Sequence, residues 1–252
     1  MNKMQEQYWL NERHLSYHRR QFTEPYRSTV FIGELLSRRF CPNLNDCTAL
    51  DVACGAGSNI CYLSGLYPSI NWTGIDQADQ LFPIGYALMK EQGLPKLPLL
   101  RKGDIFGLNN YFQEKSFDLV LSLQTLSWMP SYEPLLGPLL SAAKSGGRVV
   151  ISSLFTDSLV DAKIVLTQYK DSTFNGFEDS IYYNVYCLER FIANCKECGA
   201  KNVEVVDFDI DIDLPKPAHR HMGTYTEMLT NGRRIQLSGP LLMPWKVLWI
   251  EM

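Results

Sequence analysis

LDVACGAGSN, residues 50–59, ends an apolar run at an acidic side chain and then turns through two glycines, Gly55 and Gly57. A strand that turns sharply into a helix needs residues without Cβ where its backbone meets a ligand. A dinucleotide-binding loop reads G-x-G-x-x-G, its third glycine letting the helix pack against the strand, and Ile60 stands at that third position. A P-loop reads G-x-x-x-x-G-K-[ST], and no lysine follows within reach. Both phosphate-cradling readings lose ground at a named residue.

Outward from this loop the chain alternates short β-rich runs with helical patterns. CTALDVA (47–53) reads as a buried first strand, and SNICYLSGLY places Ile60, Leu63 and Tyr67 at helical spacing. INWTGID (70–76) is a second strand, followed by a helix in DQLFPIGYALMKEQG closed by Gly93. LPLLRKGD (97–104) and FDLVLSL (117–123) are the third and fourth strands, and RVVISSLF (148–155) the fifth, after a helix in EPLLGPLLSAAKSGG. Such alternation predicts an α/β fold, a parallel sheet flanked by helices. Beyond it, DSLVDAKIVLTQYK and CLERFIANCKECG read as helices and KNVEVVDFDI (201–210) as a sixth strand. GTYTEMLTNGRRIQLSG alternates around Asn231-Gly232, a hairpin signal, and WKVLWIEM finishes the sheet.

With no repeat, low-complexity segment or linker, the expectation is one domain over residues 1–252. It divides into an amino-terminal helical stretch (1–40), a core (47–210), a hairpin insertion (219–240) and a last strand (244–252).

Composition narrows the function classes. The chain has 252 residues, 46% hydrophobic and 20% charged, enough to bury a full core. A net charge of −3 supplies no basic field for nucleic acid. The opening residues lack a signal-peptide core and no run approaches a membrane span, so a cytoplasmic protein without a membrane partner is expected. Seven cysteines scattered along the chain fit reduced thiols. Cys195 and Cys198 form a single C-x-x-C, read as helix cysteines because no second pair or histidine lies near it to make a zinc site, and no metal is expected.

LDVACGAG resembles the first motif of class I S-adenosylmethionine-dependent methyltransferases, an acidic residue followed by x-G-x-G-x-G, with Ala53 where the first glycine stands. Ala keeps the site small, so a modest local adjustment is expected there. An ordered set follows. GID ends the second strand at Asp76, KGDIF places Asp104 after the third, FDLVLSLQTLSW is similar to the fourth-strand motif, and AKSGGRVVIS to the turn into the fifth. The resemblance spans about residues 47–155. It implies a Rossmann-like sheet with an antiparallel last strand, a helical lid, a late hairpin appendage, and S-adenosylmethionine as cofactor.

The resemblance also implies roles. Asp76, with Gln77 beside it, takes the ribose hydroxyls. Asp104, after Gly103, takes the adenine amino group, and Ile105 lies against the ring with its N–H at a ring nitrogen. Leu123 and Gln124 run beside the methionine part. The methionine carboxylate lies near the helix amino terminus at Ser58, and Asp51 attracts the ammonium group. Asp76 and Asp104 each have a plainer reading, as a helix cap and as a turn residue.

Methyl transfer to an amine or carboxylate needs alignment and exclusion of water, whereas a hydroxyl acceptor also gains from a general base. His14 and His18 share one face of a helix, which makes Tyr17, His18 and Arg20 acceptor contacts under a lid, or else decoration of a solvated helix. His219 and His221 precede the hairpin, either closing over the acceptor or lying on a surface loop. Ser127 and Trp128 stand where many relatives carry histidine, and Trp128 offers a stacking surface or a core side chain. Arg27 is a candidate partner for an acidic acceptor.

The expected function is O- or N-methylation of a small-molecule acceptor, with a sugar-derived metabolite suggested by likeness to methyltransferases of glycan pathways. The alternatives are a non-catalytic cofactor-binding subunit that regulates or scaffolds a partner, and a nucleotide-dependent oxidoreductase. The sequence specifies neither acceptor nor oligomeric state.

Overall fold

The computed structural model describes residues 12–40, 47–169, 173–218 and 222–252. Ala49, Leu50, Asp51 and Val52 are all buried, which makes β1 (Thr48–Val52) a strand covered on both faces. Because successive side chains alternate in direction, Leu50 and Val52 enter one core layer and Ala49 the other.

Around β1 lie β2 (Asn71–Asp76), β3 (Leu99–Lys102), β4 (Phe117–Leu123), β5 (Ala143–Thr156), β9 (Asn202–Asp207) and β13 (Trp245–Glu251). Their order in the sheet is β3-β2-β1-β4-β5-β13-β9. The first five strands are parallel, and β13 runs antiparallel between β5 and β9. The chain leaves β1 toward β2 on one side and returns to β4 on the other, so the switch in direction falls between β1 and β4. In open sheets of this kind, ligands bind in a crevice at such a switch, at the carboxyl ends of the strands.

Helices cover both faces. On one side α5 (Glu133–Ser141) and α6 (Leu188–Glu197) pack Leu135, Leu139, Phe191 and Cys195 against Leu50, Val120, Ile151 and Leu248. On the other, α2 (Arg27–Arg39), α3 (Ser58–Leu66) and α4 (Phe82–Glu91) pack Ile32, Leu36, Ile60, Leu63 and Met89 against Ala49, Leu121, Val150 and Val247. Ahead of them, α1 (Glu12–Thr23) contributes Phe22 to the second layer. Cys195 is buried and Cys198 exposed, and burial pushes the Cys195 thiol up to about 12. Among the described residues, no group of three His, Cys, Asp or Glu side chains is placed to hold a metal ion. Nor is any described helix long and apolar enough to cross a membrane.

One expected helix is absent. DSLVDAKIVLTQYK forms β6 (Val165–Tyr169), paired antiparallel with β7 (Phe177–Tyr182). Its exposure alternates, with Val165, Thr167 and Tyr169 outward, while Ile164 and Leu166 pack on Leu154, Tyr183, Met243 and Trp245. Those partners lie far away in sequence, and they override a local pattern that served either element. A short β8 (Tyr186–Cys187) pairs with the end of β5. The Asn231-Gly232 hairpin is present as β10 (Thr224–Met228) and β11 (Arg234–Ser238), joined by β12 (Leu241–Leu242).

The strand register is testable. Leu166→Asp is expected to cost about 2 kcal/mol in denaturant unfolding, and Val165→Asp less than about 0.5 kcal/mol. Equal losses would contradict the alternation.

Candidate functional site

Beyond Val52 the chain enters a loop in which Ala53, Gly55 and Gly57 all adopt positive φ, at 65°, 54° and 85°. The Ala53 and Cys54 N–H groups both donate to the Ile75 carbonyl, at 2.9 and 3.1 Å, which ties the loop to β2. Ala53 therefore takes the left-handed conformation that favours glycine. An L residue there carries roughly 1–2 kcal/mol of strain. Gly57 caps α3, and no side chain caps that helix, so its first N–H groups keep their donors for a ligand.

Gly85 is a site residue that motif reading missed. A Cβ on it would lie 2.0 Å from the Ala56 carbonyl oxygen, so α4 braces the loop only because this position is glycine. A glycine inside an otherwise helical FPIGYAL was the available signal.

Three acidic residues gather at the strand ends. Asp51 is 1% exposed, and its Oδ2 has no hydrogen-bond partner. Burial, followed by the nearby Asp76 charge, raises its carboxyl to about 8. Asp76 accepts from the Gly55 N–H at 2.8 Å and the Ala78 N–H at 2.8 Å. Burial raises its pKa, while hydrogen bonds from the Ala78, Gly55 and Gln77 backbone oppose the rise. Asp76 thus anchors the glycine loop from the carboxyl end of β2. Asp104 accepts from Phe106 N–H at 3.0 Å, capping a 3₁₀ turn, and from Gln77 Nε2 at 3.0 Å. The Gly103 N–H donates to the Asp76 carbonyl at 3.0 Å. Ile105 is 4% exposed and packed in the core, which leaves its backbone as the group that can meet a ring.

The amino-terminal helices lie across this loop. Ser58 Oγ donates to Gln21 Oε1 at 2.8 Å, and Thr29 Oγ1 to Asn59 Oδ1 at 2.7 Å. Gln124, at the end of β4 and at φ 55°, donates its side-chain amide to Ser28 Oγ at 3.0 Å. Its backbone N–H donates to the Ser152 carbonyl and hydroxyl, while Leu123 is half-buried beside it. His18 is buried, 8% exposed, rather than decorating a solvated face, and Arg20 is exposed. The side chains of His14 and Tyr17 lie outside the described residues, as do His219 and His221. Arg27 is paired with Asp211, Nε to Oδ1 at 2.8 Å, and is thereby engaged elsewhere. Ser127 is 1% exposed, an interior hydroxyl, whereas Trp128 is 41% exposed and not a core side chain.

Residues 50–151 match the family model described as "Methyltransferase domain". Over these residues the chain resembles class I S-adenosylmethionine-dependent methyltransferases. It is 30% identical over 113 residues to the phthiotriol/phenolphthiotriol dimycocerosates methyltransferase of Mycobacterium leprae, covering 44% of this chain and 39% of that protein. It is 23% identical over 164 residues to the ajmaline N-methyltransferase of Rauvolfia serpentina, covering 65% of this chain and 55% of that one. This chain therefore spans little more than half of these curated relatives at most. The crystal structure of the YcgJ protein from Bacillus subtilis has a TM-score of 0.59 at 13% identity, covering 90% of this chain and 99% of that one, a likeness of fold.

The loop and the strand ends have features that suit a sulfonium amino acid. Asp51 holds a buried carboxylate oxygen with no internal partner, which an ammonium group satisfies. The uncapped α3 terminus suits a carboxylate, and Asp76 retains acceptor capacity beside its backbone bonds. Ile60, fully buried, stands where a dinucleotide site needs its third glycine.

Two stability measurements follow. Ala53→Gly is expected to stabilise the protein by about 0.5–1 kcal/mol, since relief of strain outweighs the entropy glycine adds to the unfolded chain; a loss of stability would contradict the assigned conformation. For Asp51, the folded value near 8 lies above the ordinary carboxylate value of the unfolded chain. Below about pH 4 both states are protonated, and between there and about 8 only the folded state is, so stability falls as pH rises and levels off above 8. Asp51→Asn should match the parent at pH 4 and exceed it by a few kcal/mol at pH 9. A constant difference across that range would remove the assigned protonation.

Proposed function

We propose that this protein transfers a methyl group from S-adenosylmethionine to a small-molecule acceptor. The observation that carries the reading is the buried Asp51 oxygen without a partner, beside a left-handed glycine loop at the carboxyl ends of β1 and β2. A carboxylate so placed is costly to the free protein and gains its partner when a cationic amino acid binds.

In this reading Asp51 holds the ammonium group, the open N–H groups of α3 hold the carboxylate, and Asp76 takes the ribose. Asp104 with Gln77, Gly103 and the Ile105 N–H border the adenine, while Ala53, Gly55, Gly57, Leu123 and Gln124 line the methionine arm. When bound, the cofactor supplies an electrophilic methyl group whose departure leaves a neutral thioether. What remains for the chain is to align the acceptor in line with that bond and keep water out. Helices α1 and α2, held to Ser58, Asn59 and Gln124 by neutral hydrogen bonds, supply the cover. In the same reading His18, buried on α1, takes the proton of a hydroxyl acceptor. Both O- and N-methylation fit this arrangement.

Calorimetry with S-adenosylmethionine, S-adenosylhomocysteine and NAD is the test. The first two are expected to bind and NAD not to. Asp76→Asn is expected to weaken S-adenosylhomocysteine binding by about tenfold or more, the loss of one charge-assisted contact. Asp76→Ala is less informative because it also releases the Gly55 and Ala78 N–H groups. Binding of NAD in place of the sulfonium ligand would overturn the reading. Trapping of labelled methyl on a metabolite separates a transferase from a cofactor-binding subunit.

A further inference from the structure

Immediately past β4 the chain makes a single 3₁₀ turn, Leu126–Trp128. Leu126 and Ser127 are buried at 0% and 1%, yet Trp128 is 41% exposed. Its indole lies 4.6 Å from the Tyr183 ring at a tilt of 50°, and Tyr183 is itself 4% exposed. One side of the indole is thus backed by the core, and the rest is open.

The turn is pinned from behind. The Asn184 N–H donates to the Ser127 carbonyl at 2.8 Å, and Asn184 Nδ2 to the Met129 carbonyl at 2.7 Å. The Tyr186 hydroxyl donates to the Leu126 carbonyl at 3.0 Å. Asn184 Oδ1 in turn accepts from the Ile164 N–H at 3.1 Å, so an entirely buried amide is satisfied by holding this one turn. Left to itself, a tryptophan gains a few kcal/mol by burial. Here a buried asparagine and a buried tyrosine fix the backbone that keeps one outside, as expected of a preorganised contact surface.

The turn's place gives the surface its meaning. Asp51 pairs with Leu121 in the sheet, so Leu123 is level with Ala53 and Gln124 emerges just beyond it. Trp128 stands four residues further along, past the carboxyl end of β4 and so at the end of the sheet assigned above to the cofactor. We propose that Trp128 is the platform on which the methyl acceptor stacks, and that the acceptor is a planar, electron-rich aromatic compound. This rests on the methyltransferase reading and adds the class of substrate.

The chemistry around Trp128 selects among flat ligands. A sugar ring also stacks on indole but needs several free polar side chains for its hydroxyls. Of those just before it in sequence, Thr125 Oγ1 is committed to the Leu123 carbonyl at 3.2 Å and the Gln124 amide nitrogen to Ser28, while Ser127 is buried. A cationic acceptor also stacks on indole, but residues 125–130 contain no acidic side chain to add a counter-charge. It would also have to approach a positive sulfonium. A neutral aromatic ring meets neither penalty and gains about 0.5–1.5 kcal/mol from the ring pair beyond its buried area.

Saturation-transfer NMR on the protein loaded with S-adenosylhomocysteine tests this, with 2-naphthol, indole, methyl β-glucoside and cyclohexylamine as probes. Transfer is expected to the two aromatic probes and not to the others. Their affinity should fall about fivefold in Trp128→Ala and stay within about twofold in Trp128→Phe. S-Adenosylhomocysteine affinity should stay within about twofold in both variants, because an exposed side chain away from the cofactor contacts has been changed. Equal aromatic binding in Trp128→Ala, transfer to the glucoside or amine instead, or no probe binding to the loaded protein would each overturn the platform. A wild-type protein that fails to bind S-adenosylhomocysteine overturns the methyltransferase reading, and the platform with it.

Discussion

A carboxyl group at the end of a fully covered strand, with one oxygen bonded to nothing, is the constraint around which this protein is arranged. Asp51 follows Leu50 and precedes Val52, both at 0% exposure, so water cannot solvate it from either face of the sheet. Among the described residues no basic side chain partners it, and the charge that acts on it is the like charge of Asp76. Such a group rests in its neutral form near pH 7 and ionises when a cation arrives. The binding energy of an ammonium group is therefore partly spent on removing that proton, and affinity becomes linked to pH through a single residue.

The surrounding loop shows the same preference for readiness over stability. Ala53 and Gln124 hold left-handed backbones without being glycine, and they follow the carboxyl ends of the neighbouring strands β1 and β4. Strained residues persist where neighbours over-determine them. Ala53 is held by the Ile75 carbonyl, and Gln124 by Ser152 behind and Ser28 above. Gly85 permits α4 to press on Ala56, which stops the loop from relaxing outward. The turn that carries Trp128 repeats the design with Asn184 and Tyr186 as its clamps.

How much of this was readable from the chain divides along physical lines. Strand and helix order through residue 156 was legible because one-face and two-face burial imprint periods of 3.6 and 2 on the sequence. The acidic residues at strand ends were legible from the motif, since chemistry that needs a carboxylate at a turn leaves few substitutes. Asp51's protonation was not, because it depends on what covers both faces of the sheet. The strand β6 was misread as helix because Ile164, Val165 and Leu166 suit either state until Leu154, Tyr183, Met243 and Trp245 decide it. The same distance hid the contacts of Gln21 with Ser58 and of Ser28 with Gln124, and the role of Asn184.

The account is tested most directly by carboxyl carbon NMR of Asp51, followed across pH in the free protein and again with S-adenosylhomocysteine bound. It predicts a midpoint of about 8 in the free protein, falling to the ordinary carboxylate range in the complex. A free-protein midpoint already at about 4, the value of an unperturbed aspartate, or one that ligand leaves in place, would contradict it.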